Sequence, residues 1–336
     1  MGLVGRTLIR ILLLGALAWA GIGLFYNVPG PGWLQRAVAI VFVVASAGAL
    51  FALRPFVRGA AVAFVAFALV QLWIFSLEPS NTGAWQPEVS ELAHAEIDGD
   101  LLTVHNVRNF EWRSETDFTP QWETRTYDLS KLTGLDMYFS YWGSPSIAHT
   151  IMSWDFSDGQ HIAISIEVRK NTSQQYSTVA GFFRQYPLYY AVADERDVIG
   201  VRTNFRGENV YLYRLTSPVV NARALLLDYL KSVNGLVEDP EWYNALLDNC
   251  TTSIQRHVRD VNPQGSPFNW RLIVNGYLPE LLYQRGTIDT SMPFDELRER
   301  SNIDARAKAS GLGPHFSEMI RDGLPNPRAS QGIALR

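Results

Sequence analysis

Cysteine is nearly missing from this 336-residue chain: Cys250 is the only one, which excludes an intrachain disulfide. No pair of cysteines and no Cys-His grouping stands at metal spacing, and the six histidines are scattered, so neither a structural zinc site nor a cofactor is expected. Charge is sparse as well, at 18% of residues against 47% hydrophobic, which excludes disorder and fibrous repeats. Carboxylates are absent altogether from residues 1–77, a stretch that holds five arginines. The rest of the chain carries the other 24 basic groups against all 33 acidic ones. That balance excludes the clustered basic footprint of a nucleic-acid binder.

What the first 77 residues do contain is three uncharged runs. Ile11 to Gln35 is apolar up to the breaker Asn27-Val28-Pro29-Gly30-Pro31-Gly32, Ala37 to Leu53 is the second run, and Gly59 to Leu77 the third. Each approaches the roughly 20 residues that a bilayer requires. Two further runs follow the first at once, so it reads as a retained anchor and not as a cleaved signal. Arg6 and Arg10 precede the first run, and Arg54 and Arg58 sit between the second and third. This bias predicts a cytoplasmic N-terminus and, after three spans, a domain on the periplasmic side of a bacterial inner membrane, next to phospholipid.

Beyond Glu78 the spacing predicts a linker over 79–95, an α+β domain over 96–265 and a helical tail over 266–336. Short alternating runs predict strands within Asp100 to Asp128, then over Leu135 to Tyr141, His149 to Phe156, Gln160 to Arg169 and Val210 to Leu215. Helical spacing begins at Asn221 and returns over Trp242 to Leu247, Thr251 to Val261, Asn275 to Tyr283 and Phe294 to Ala309. Pro325 to Arg336 reads as a frayed end.

Two local readings carry chemistry. Met152, Trp154 and Phe156 alternate on one strand face, as do Ile162, Ile164 and Ile166 on the next strand. Their faces coincide only with a three-residue loop, Ser157-Asp158-Gly159, whose last glycine suits a left-handed position. His149 then falls opposite Glu167 on the less apolar side, with Cβ atoms about 5 Å apart. Cys250, in turn, follows the helix-capping residue Asn249. A thiol in a first helical turn meets the positive end of the helix dipole, which favours the reactive thiolate. His257 on the same helix lies about 10 Å further along the axis and cannot be its base. His149 can reach the thiol only through the fold, with His161 as runner-up. Arg184, Arg196, Arg202 and Arg206 flank tyrosine-rich segments, where they either bind an anionic headgroup or are solvated loop charges.

Several blocks resemble a known family: Asn106-Val107-Arg108-Asn109-Phe110, Trp122-Glu123-Thr124-Arg125-Thr126-Tyr127-Asp128-Leu129, Ala148-His149-Thr150, Ala163-Ile164-Ser165-Ile166-Glu167-Val168-Arg169 and Asp248-Asn249-Cys250-Thr251-Thr252. Together they are similar to the bacterial family named for the N-terminal periplasmic domain of Lnb, a lipoprotein N-acyltransferase, over roughly residues 95 to 265. The resemblance implies a permuted papain-like domain, an antiparallel sheet packed on helices, with Cys250 as nucleophile, His149 as base and Glu167 as the group that orients it. The expected activity is thiol-dependent acyl transfer on lipoprotein or phospholipid acyl groups, with backbone amides and Asn249 at the oxyanion. Lipoproteins are the expected partners. The same residues also suit a cell-envelope amidase or peptidase, or a binding protein with a vestigial site.

Overall fold

Proline sets the limits of the first three helices. In the computed structural model, which describes residues 2–262 and 269–328, α1 (Leu3–Asn27) stops before Pro29, α2 (Gly32–Ala52) starts after Pro31 and α3 (Phe56–Phe75) starts after Pro55. All three are long and apolar enough to cross a membrane. Leu17, Leu50, Phe56 and Ala63 form the core of this bundle. A small residue lets α2 and α3 meet closely, since a Cβ on Gly59 would lie 2.9 Å from the carbonyl oxygens of Ala49 and Leu50.

The chain divides into two compact units, and the first joins residues 1–80 to the later segments 175–187 and 241–245. Within it, the Trp19 and Phe183 rings lie 4.6 Å apart and Asn27 Nδ2 donates to the Phe183 carbonyl at 2.9 Å. The helix expected over 242–247 does not form. Trp242 bridges Pro187 in extended conformation, its indole donates to the Leu77 carbonyl at 2.9 Å, and the Tyr243 amide donates to the Tyr186 carbonyl. These long-range bonds override a local helical period.

The second unit is built on a mixed sheet. Its strands are β1 (His94–Asp98), β2 (Leu101–Arg108), β3 (Glu111–Trp112), β4 (Phe118–Thr119), β5 (Trp122–Asp128), β6 (Leu132–Tyr141), β7 (Ala148–Phe156), β8 (His161–Val168), β9 (Leu188–Ala193) and β10 (Asn209–Arg214). The main sheet runs β1-β2-β9-β8-β7-β6-β10, with β5 also paired to β2, while β3 and β4 form a ribbon of their own. Strand β9 eludes the sequence reading because all six of its residues are buried, leaving no alternation to detect. The first strand also starts two residues inside the expected linker. The α+β class stands as the sequence predicts.

Helices cover both faces of this sheet. Helices α4 (Glu195–Val198) and α5 (Gly200–Asn204) lie on one side, and α6 (Val219–Glu238) and α7 (Cys250–Val261) on the other, followed by α8 (Leu278–Gln284), α9 (Phe294–Ser301), α10 (Asp304–Ser310) and α11 (Phe316–Met319). The single helix expected over 294–309 is broken at Asn302 and Ile303, where Asn302 bridges Tyr211 and the Ile303 amide donates to the Val210 carbonyl. The expected domain boundary at 265–266 lies outside the described residues, as does the expected frayed end beyond 328.

Pleat period assigns the two faces. Trp154 points to α6, donating from its indole to the Ala222 carbonyl at 2.8 Å and packing 5.2 Å from the Tyr229 ring. Asp136, Asp155 and Glu195 gather on the other face, where Arg321 contacts all three at 2.9, 3.1 and 2.7 Å. Arg328 adds contacts to Asp136 and Asp155, so the tail is clasped to the sheet through buried ion pairs. His161 belongs to this clasp, 3.4 Å from Asp155.

Candidate active site

The β7–β8 hairpin has the register the alternation predicts. Asp155 pairs with His161 and Ile151 with Ser165, the Phe156 amide donates to the Gln160 carbonyl, and Gly159 has φ +82°. His149 accordingly projects to the same face as Ser165 and Glu167. Its Nε2 lies 2.7 Å from Ser165 Oγ and 3.7 Å from Glu167 Oε1, so the hydrogen bond goes to the serine, and Ser165 Oγ donates onward to Glu167 at 2.8 Å. With the serine proton given to the carboxylate, Nε2 of the imidazole must be the donor. This fixes the tautomer and leaves Nδ1 as the basic nitrogen. Sequence reasoning assigns the orienting role to Glu167 and misses Ser165.

Arg202 completes the chain, donating to Glu167 Oε1 at 2.9 Å from a fully packed position. Burial pushes the Glu167 carboxyl up, but Arg202 and then His149 outweigh it and hold it far below the usual range. For His149 burial and the arginines act in the same direction. Burial, Arg202 and Arg206 push it down against the pull of Glu167, to about 3, so the ring is a neutral base. Arg202 and Arg206 are thus electrostatic neighbours of the histidine and are already engaged, Arg206 being 3.7 Å from Glu115 and 3.9 Å from Glu208. Arg196 donates to Asn109. Arg184 belongs to the helical unit, where its guanidinium donates to the Phe75 and Leu77 carbonyls at 3.0 and 2.8 Å. It serves there as a cation at the end of α3.

Cys250 is the first residue of α7, and Asn249 caps that helix by accepting from the Thr251 and Thr252 amides at 3.0 Å. The Thr252 hydroxyl accepts in return from the Asn249 amide, closing a capping box. The thiol does not have the lowered pKa expected of a helix start. Burial pushes it up, and the hydrogen bonds from the Thr150 amide, the Thr251 hydroxyl and the Thr251 and Cys250 amides do not offset this. The cysteine therefore rests as a thiol that needs a base.

Thr150 places the sulfur next to the histidine strand. The β7–β8 ladder ends at Ile151–Ser165, while β6–β7 continues to Ala148 and β8–β9 to Val168, so β7 and β8 part at His149 and Thr150. The helix bearing Cys250 packs on the Trp154 side of the sheet, where His257 Nε2 lies 2.8 Å from the Tyr190 hydroxyl and its Nδ1 2.7 Å from Asp228. His149 projects to the opposite side. The cysteine and the histidine thus lie toward opposite faces of the sheet, the Thr150 amide reaching the sulfur from the residue after His149, and no hydrogen bond joins thiol and imidazole among the described residues.

Asn275, which carries no signal in the sequence, ties the two segments together. Its Oδ1 accepts from the Ala148 amide at 2.8 Å, and its Nδ2 donates to the Ala148 carbonyl at 2.5 Å and to the Thr251 hydroxyl at 2.6 Å. One buried amide thereby contacts the residue before His149 and the residue after Cys250. The next residue must be glycine, because a Cβ on Gly276 would lie 2.1 Å from the Pro145 carbonyl oxygen. Around the thiol, the buried hydroxyls of Thr150, Ser253 and Tyr229 have no partner among the described residues. Burial, and then its neighbours Tyr190, Cys250 and Asp228, push the Tyr229 hydroxyl pKa well up.

Histidines that are scattered along the sequence do meet elsewhere in this unit: ligand atoms of His94, Glu96 and His105 lie within 4.8 Å of one another.

No curated protein and no solved structure matches the chain. Residues 118–276, a span that includes His149, Glu167, Cys250 and Asn275, match the model of the Lnb N-terminal periplasmic domain, and the chain therefore carries a domain of that family behind three membrane-spanning helices.

Proposed function

We propose that the chain is a membrane-anchored enzyme of the periplasmic face that transfers acyl groups through a thioester on Cys250. His149 Nδ1 takes the thiol proton as the sulfur attacks an ester carbonyl. The carbonyl-oxygen bond breaks, the imidazolium returns the proton to the leaving alcohol, and an amine or water then attacks the thioester. Amides of Thr150 and Cys250, which reach the sulfur, would stabilise the oxyanion, while the Thr251 amide is committed to the helix cap. Asn249, whose carbonyl is committed to the helix cap, acts there by holding the first turn in place. The observation that carries this reading is the relay from Arg202 through Glu167 and Ser165 to His149, whose neighbour Thr150 donates its amide to the Cys250 sulfur. A buried chain of this kind fixes a tautomer, which a purely structural histidine does not need.

The anchor supports phospholipid as acyl donor and a lipoprotein amine as acceptor, with the arginines of the helix ends on the cytoplasmic side. Intact-mass analysis of lipoproteins tests the substrate. Deletion of the gene leaves lipoproteins that carry two acyl chains where the parent carries three, whereas unchanged lipoproteins alongside altered cell-wall peptides would assign the site to an amidase.

The electrostatics set the pH profile. Neutral His149 is the active form, and with its pKa at about 3 the acylation rate stays level as pH falls through 6.5 and is lost only on approach to that value. Stopped labelling with an acyl probe between pH 4 and 8 reads this directly. A half-loss near 6.5 would mean that the base is a solvated histidine and not His149 as placed here.

A further inference from the structure

The strand pairing of β1 with β2 creates a cluster with no part in the acyl-transfer site. His94 and Glu96 are two residues apart and share a face of β1, and His105 on β2 pairs directly with His94. The two imidazoles stack with centroids 4.4 Å apart, and His105 Nε2 lies 3.9 Å from Glu96 Oε1. Thr124 on β5, which also pairs with β2, sits 3.1 Å from His105 Nδ1. A hydrogen bond donated from Nδ1 to that hydroxyl leaves Nε2 with its lone pair directed toward Glu96. A threonine behind a histidine in this way supplies what metal-binding histidines usually have, a second-sphere acceptor that fixes ring and tautomer.

We propose that His94, Glu96 and His105 form a binding site for a divalent ion of the zinc class. Two imidazoles and one carboxylate are a donor set that zinc accepts, with its fourth position left to water. Ligand atoms already gathered within 4.8 Å need to close to roughly 3.3 Å, the edge of a tetrahedron with bonds of about 2.0 Å. Side-chain rotation of the half-buried histidines and the exposed glutamate provides this without moving the strands. Bound metal would staple the edge strand β1 to β2, on a segment that precedes the family-matched residues 118–276.

Calorimetric titration of the full chain in detergent micelles with Zn²⁺, repeated in a Cys250→Ser background so that thiol uptake is not counted, tests the site. One ion binds per chain in both. His94→Ala with His105→Ala abolishes uptake, and Thr124→Val, which keeps all three ligands, weakens it about tenfold. Co²⁺ in place of Zn²⁺ gives the intense visible absorption of a four-coordinate site, and the double variant loses it. These positions are at the surface, and circular dichroism identifies any variant that fails to fold. Absence of saturable uptake by the parent chain, or uptake unchanged in a folded double variant, overturns the proposal.

Discussion

Alanine at His149 slows formation of the acyl-enzyme by about 10²–10⁴-fold, the usual contribution of a positioned general base. The size of the effect follows from the state of the thiol. Burial holds the Cys250 pKa above its ordinary value, so few thiolates exist at neutral pH and the proton must be taken during attack. A cysteine activated by a helix start alone would lose little on removal of the histidine. The rate constant for labelling with an acyl probe separates the two cases. A decrease of less than about threefold, well under the range expected of a general base, would move the base elsewhere. His257 is poorly placed to take over, since Tyr190 and Asp228 occupy both of its ring nitrogens.

Replacing Asn275 with alanine costs about 10²-fold in the same rate, although Asn275 does not touch the sulfur. It holds Ala148 by both backbone groups and Thr251 by its hydroxyl, and so sets the distance between the strand of His149 and the helix of Cys250. A displacement on the order of 1 Å between reacting groups has a cost of this size. Loss of buried hydrogen bonds lowers stability as well, by about 1–3 kcal/mol for a backbone group left unpaired. A positioning role is distinguished from a merely structural one by the pH profile and the cap. In the folded variant the acid limb stays where His149 puts it while the rate falls. A variant with full activity would show that the two segments are held by other contacts.

Several parts of this arrangement are legible in the sequence because they depend on local periods. The faces of Met152, Trp154 and Phe156 and of Ile162, Ile164 and Ile166 are enough to choose a three-residue turn, and with it the side on which His149 meets Glu167. The Asn249 cap and the three apolar helices follow from equally local chemistry. What escapes is whatever depends on contacts between distant segments. Ser165 reads as an ordinary strand serine until its neighbours are known, and Asn275 lies in a tail that shows only a helical period. The grouping of His94, Glu96 and His105 requires a register across a turn that no apolar alternation fixes. Strand β9 is hidden by burial on both faces, and the Trp242 segment by tertiary bonds that replace a helix. The thiol pKa is a further case, since the helix dipole is visible in sequence and the burial that outweighs it is not.

The central claim is that Cys250 carries the acyl group. Intact-protein mass spectrometry of the purified full chain, mixed with phospholipid vesicles of one defined acyl composition and quenched in acid, tests it most directly. The account predicts a mass increment equal to that acyl chain, mapped to the peptide containing Cys250, removed by neutral hydroxylamine and absent from Cys250→Ala. An increment that survives in Cys250→Ala, or an unmodified cysteine while lysophospholipid accumulates, would contradict it.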